Sequence, residues 1–179
     1  MKTSAPPTPT SLRSRLAPAL SWACRCDPHV IPADLDPTKP LHATAIALGP
    51  QGALFLGASG SGKSELALAL IALGAELISD DLVRVTKGAE GWPMLSGPGR
   101  MAGVIEARGV GLLTVRHRAE APLSLIVDLD RVETARLPAL VTTPVFDQPI
   151  PVLSRVDSLH FPAILHAYLT GGRLSVSPP

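Results

Sequence analysis

Aromatic side chains are scarce in this chain of 179 residues, at 3%, which leaves few platforms on which bases could stack. Charge of one sign is lacking too. Sixteen basic residues face 15 acidic ones, for a net charge of +1, and such a balance offers no electrostatic footprint for nucleic acid or an anionic membrane. No apolar run reaches the 18 or more residues of a membrane span. There are only two cysteines, Cys24 and Cys26. One intervening residue is too few for the usual zinc spacing, and His29 is the sole neighbouring ligand. Free thiols in a reducing cytoplasm are the expectation.

Proline and glycine, by contrast, are plentiful, at 19 and 15. The first 40 residues are rich in Pro, Ser, Thr and Ala and keep neither helical nor strand periodicity. They are expected to form a loose arm, with one domain over residues 41–175. Pro6, Pro7, Pro9 and Pro18 interrupt any apolar core of a secretory signal. From His42 to Leu48 the pattern predicts a strand, then a turn at Gly49–Gly52, then a second strand to Leu56. A helix is predicted over 62–73, with Leu66, Leu70 and Leu73 on one side and Gly74 as its stop. Further strands are predicted at 76–79, 82–86, 103–106, 110–115, 123–129 and 149–153, and a closing helix at 161–169. Many strands around one phosphate-loop helix predict an α/β fold with a mixed sheet.

That helix is preceded by Gly57-Ala58-Ser59-Gly60-Ser61-Gly62-Lys63-Ser64, a complete G-x-x-x-x-G-K-[ST] loop between a strand and a helix. Its glycines admit positive φ and close backbone approach, so successive N–H groups can surround a phosphate at the positive end of the helix. Lys63 is suited to the β and γ oxygens of a nucleoside triphosphate, and the Ser64 hydroxyl to Mg²⁺. Phosphoryl transfer needs a further carboxylate for the metal and a group to take the acceptor's proton. Asp80-Asp81 follows the apolar run AELIS, and Asp128 follows LSLIV. Both positions suit the carboxyl edge of a sheet, where ligands of open α/β folds bind. Two adjacent carboxylates can also be driven apart in pKa, one for metal and one for base. His42, Glu106 and Arg108 are ambiguous alone.

Taken together, these pieces resemble the catalytic domain of HPr kinase/phosphorylase, a bacterial family that phosphorylates a serine of the phosphocarrier protein HPr. GASGSGKSELALALIALGAELISDD is similar to the family's phosphate loop, helix and double aspartate. LHATAIAL places His42 twenty-one residues before Lys63, as the family places a catalytic histidine. IEARGVGLLTV, with Glu106, Arg108, Gly109 and Gly111, is similar to the family signature, and LSLIVDLD followed by ARLP resembles the element that carries an active-site arginine.

The resemblance implies that ATP and Mg²⁺ are used and that Lys63 grips phosphate. It implies that Ser64 and Glu106 hold the metal, and that Asp81, or Asp80 beside it, exchanges the serine proton. His42 would orient phosphate and Arg136 would stabilise the transferring charge. It also implies HPr or an HPr-like carrier as partner and a hexameric assembly, with neither nucleic acid nor membrane involved. The segment Arg155–His160 departs from the family's Val-Pro-Val pattern tied to dephosphorylation, so kinase activity is expected ahead of phosphorolysis. A small-molecule kinase or NTPase sharing only the loop, and a nucleotide-sensing regulatory module, are the competing readings.

Overall fold

The computed structural model describes residues 25–26 and 36–172. Most of the expected N-terminal arm, Cys24, His29 and the last seven residues lie outside them. Two residues of the arm, Arg25–Cys26 (β1), form a short strand parallel to β11 (Val141–Val145), which the sequence reading does not anticipate.

The predicted strand from His42 divides in two. Leu41–His42 (β2) and Thr44–Leu48 (β3) are separated at Ala43, and they join different ladders. β3 turns through Gly49 and Pro50 into Gln51–Leu56 (β4), with Leu48 opposite Gln51. Gly49 takes φ 57°, the positive value a tight hairpin asks of its first central residue. Lys63–Ala72 (α1) follows and ends as the sequence suggests. Gly74, at φ 104°, donates to the Ile71 carbonyl and Ala75 to that of Leu70, both at 3.0 Å, which is the Schellman ending of a helix. Leu66 and Leu70 are buried, while Leu73 lies past the last turn and is 45% exposed.

Glu76–Ser79 (β5) leads into Leu82–Lys87 (β6), a 3₁₀ turn at Ala89–Gly91, and Pro93–Ser96 (β7). Val104–Ala107 (β8) and Gly111–Thr114 (β9) form a separate two-stranded hairpin. The longest strand, Glu120–Val132 (β10), precedes β11, Gln148–Arg155 (β12) and the closing helix Phe161–Gly171 (α2). The strand order is β1-β11-β12-β10-β4-β3-β5. β10 runs parallel to β4 and β12, β3 is antiparallel to β4 and β5, and β11 is antiparallel to β12.

Both faces of this sheet are covered, which explains why its strands are almost continuously apolar. Alternate residues feed two cores. Ile46, Phe55, Leu125 and Val127 pack with Leu66, Leu70 and Leu165 under the helices, while Ala45, Leu54 and Ile126 pack with Val83, Val85 and Leu95 of the ribbon β6–β7. β10 belongs to both layers. Its residues Glu120–Pro122 pair with β7, and from Leu123 onward it pairs with β4. At that crossing a Cβ on Gly52 would meet the Pro122 carbonyl oxygen at 2.7 Å, so the approach of the two strands requires glycine.

Candidate active site

The carboxyl ends of β4, β5 and β10 converge on the loop Gly57–Gly62. Gly57, Gly60 and Gly62 take φ of 148°, 82° and 93°, values that side chains seldom tolerate. Gly62 caps α1, and its carbonyl accepts from Leu66 at 2.9 Å. Ser61 N–H donates to the Ala58 carbonyl at 3.1 Å, closing the loop on itself. The Ser61 hydroxyl is buried with no hydrogen-bond partner. An orphaned donor, a set of loop N–H groups and a helix N-terminus fit an anionic ligand such as a phosphate chain.

Lys63 is only 6% exposed, and its ammonium is held by the loop. It donates to the Gly57 carbonyl at 2.8 Å and the Ala58 carbonyl at 2.9 Å, and contacts His42 Nε2 at 3.4 Å. An ammonium can only donate, so a hydrogen bond here requires Nε2 to be the unprotonated ring nitrogen. His42 comes from β2, paired with β6, while Lys63 is the first residue of α1.

The two aspartates diverge sharply. Asp80 accepts from Thr44 Oγ1 at 2.7 Å, from Ser64 Oγ at 2.9 Å, and from the Glu106 N–H at 3.4 Å. Asp81 sits at φ 66°, a left-handed conformation that Asp tolerates better than most residues. Its backbone carbonyl accepts from Ala43 N–H at 3.2 Å. Asp81 lines the pocket, together with His42, Lys63, Ser64, Glu106, Arg108 and residues of the loop.

Glu106 and Arg108 arrive on the β8–β9 hairpin, with Gly109 in its turn at φ 80° and Gly111 opening β9 at φ 122°. A guanidinium nitrogen of Arg108 lies 4.0 Å from where a Gly60 Cβ would stand. Arg136, by contrast, is exposed after β10 and is not among the residues lining the pocket. Asp128 is engaged locally: Oδ1 accepts from Asp130 N–H at 3.0 Å, and Oδ2 pairs with Arg131 at 3.3 Å.

No cluster of three or more His, Cys, Asp or Glu forms a metal cage among the described residues. Mg²⁺ ordinarily takes one or two protein oxygens, with phosphate and water supplying the rest. Ser64, Asp80 and Glu106 are the oxygen-bearing side chains of this region that could hold such an ion. No helix among the described residues is long and apolar enough to cross a membrane.

Thr44 and Asp130 are polar groups of this region that the sequence reading passes over. Thr44 is detectable only as a polar position in an Ala/Ile/Leu strand. Asp130 accepts from the Ala58 N–H, a link across 72 positions that no local pattern announces.

A family model for the HPr Serine kinase C-terminal domain matches residues 33–137. The HPr kinase/phosphorylase of Exiguobacterium sibiricum is 30% identical over 134 residues, covering 68% of this chain and 43% of that protein. That of Bordetella pertussis is 38% identical over 104 residues, covering 54% and 34%. The chain thus spans less than half the length of these curated relatives. The structure of the Hpr(Ser) kinase/phosphatase from Coxiella burnetii matches with a TM-score of 0.61 at 21% identity, covering 74% of this chain and 93% of that one. That likeness supports the mixed-sheet phosphate-loop fold. With the family model matched over more than half its length, this chain belongs to the HPr serine kinase C-terminal domain family.

Proposed function

We propose that the chain is an ATP- and Mg²⁺-dependent protein-serine kinase that phosphorylates HPr or an HPr-like phosphocarrier. The names of its relatives point to that acceptor. The observation that carries the chemistry is the contrast between the adjacent aspartates, Asp80 bonded to Ser64 and Asp81 lining the same pocket as Lys63 and His42.

In this reading the loop N–H groups and Lys63 hold the β- and γ-phosphates, and Ser64, Asp80 and Glu106 hold the metal. Mg²⁺ supplies charge neutralisation across the phosphates when bound. A serine hydroxyl is a poor nucleophile until its proton can leave. Asp81 accepts that proton as the serine oxygen bonds to the γ-phosphorus and the bond to the β–γ bridging oxygen breaks, releasing ADP. His42 orients phosphate next to Lys63. Arg108 is the arginine already lining the pocket, and Arg136 would need to move to reach it. Positioning and charge stabilisation account for most of the catalysis of such transfers. In the reverse direction Asp81 would return a proton; the kinase direction is the one proposed. A cytoplasmic setting and a hexameric assembly belong to the same proposal.

The test incubates the purified protein with ATP, Mg²⁺ and the HPr-like carrier of the same organism, reading the carrier by intact mass. A single added phosphate, absent with Lys63→Ala and with Asp81→Asn, is the expected result. ATP binding without any added mass on the carrier would move the function to another acceptor or to nucleotide sensing.

A further inference from the structure

Asp130 has no part in the reading above, yet it touches the phosphate loop directly. Its two carboxylate oxygens lie 3.0 and 3.1 Å from the Ala58 nitrogen and accept that N–H. The carbonyl of the same peptide unit, that of Gly57, accepts from Lys63 at 2.8 Å. One peptide plane is therefore held between a cation on its oxygen and an anion on its N–H. A trans peptide directs these two groups to opposite sides, so Asp130 and Lys63 brace the loop from opposite faces. Hydrogen bonds to charged partners are the stronger kind, and each polarises the peptide in the sense that favours the other.

The fit is tight. A Cβ on Gly57 would lie 3.2 Å from Asp130 Oδ1 and 2.5 Å from Ser61 Oγ. Asp130 is not among the residues that line the pocket, so its charge stands behind the loop. Nor does it occupy the place of a metal carboxylate, because the Ser64 hydroxyl donates to Asp80.

We propose that Asp130 is a positioning residue. By fixing the Gly57–Ala58 peptide it sets where the carbonyls hold Lys63, and hence how tightly the pocket binds a triphosphate. The proposal rests on reading the pocket as a triphosphate site. What Asp130 supplies is a hydrogen-bond acceptor strengthened by its charge, so asparagine should serve in part.

Asp130→Ala and Asp130→Asn test it with two readouts. The first is the Kd for ATP together with kcat and KM on the carrier. The second is amide hydrogen exchange of peptides covering residues 57–62, without nucleotide. Asp130→Ala should weaken ATP binding roughly tenfold, as loss of a charge-assisted hydrogen bond implies, with kcat changed by less than about twofold. The loop should exchange faster in that variant. Asp130→Asn, which keeps the acceptor but not the charge, should fall between the wild type and Asp130→Ala in both binding and protection. Unchanged exchange in Asp130→Ala would overturn the proposal, whatever the activity. So would an Asp130→Asn variant as impaired as Asp130→Ala with a raised Mg²⁺ requirement, since that pattern belongs to a metal ligand. If the wild-type protein binds no ATP, the pocket reading fails, and the exchange experiment still decides the role of Asp130.

Discussion

Two pairs of aspartates stand at the same edge of the sheet, and the chain uses them in opposite ways. Asp80 and Asp81 are consecutive at the end of β5, so an extended backbone would point them to opposite faces. The positive φ of Asp81 breaks that alternation, leaving one carboxylate on Ser64 and Thr44 and the other in the pocket. Asp128 and Asp130 are separated by one residue at the end of β10. Their carboxylates serve the backbone and an arginine: Asp128 takes Asp130 N–H and Arg131, and Asp130 takes Ala58 N–H. An acid following an apolar strand is therefore not enough to mark a metal or base. The local backbone twist separates the two outcomes.

The comparison breaks most visibly at Asp81. Asparagine also tolerates φ near 66°, so Asp81→Asn should keep its melting temperature and its Kd for ATP. Carrier phosphorylation should fall by about 10²- to 10⁴-fold, the usual contribution of a positioned base. A variant that still turns over, beside a dead Asp80→Asn, would exchange the two roles. Next in size is Asp80→Asn, which removes the charge facing Ser64. It should raise the Mg²⁺ concentration for half-maximal activity by about ten- to a hundredfold, and Mg²⁺ titrations of the rate would show this. The smallest effect belongs to Asp128→Asn. Its partner Arg131 is half exposed, and such pairs contribute about 1 kcal/mol or less. Urea melts should shift by no more than that, with phosphorylation unchanged; a large loss of activity would make Asp128 part of the chemistry.

Locally encoded features were legible. The phosphate loop, α1 and its Gly74 stop, the hairpin at Gly49 and the two aspartates of β5 all follow from neighbouring residues. Features set by distant partners were not. β11 has Pro144 in its middle, which argues against a strand, and it forms because Pro144 sits opposite Pro149 of β12. β10 was expected over 123–129 and begins at Glu120, because β7 pairs with a stretch whose own pattern, Glu-Ala-Pro, predicts nothing extended. Likewise His42 was assigned to the strand that became β3, and the break at Ala43 arises from its separate pairing with β6. Arg136, expected at the site, is exposed outside the pocket, while Arg108 already lines it.

The crossing of β10 over Gly52 has a consequence for how disturbances travel. His42 hangs from the ribbon side of that seam and Lys63 from the sheet side, and their 3.4 Å contact bridges it. A methyl group added at Gly52 would push on the Pro122 carbonyl and on Leu95, wedging the two layers apart at a point that touches no substrate. The strain would be felt where the layers meet again, between the histidine and the lysine. The register of one glycine thus works as an alignment pin for the chemical centre, and a lesion there would resemble a catalytic defect although no reacting residue had been replaced.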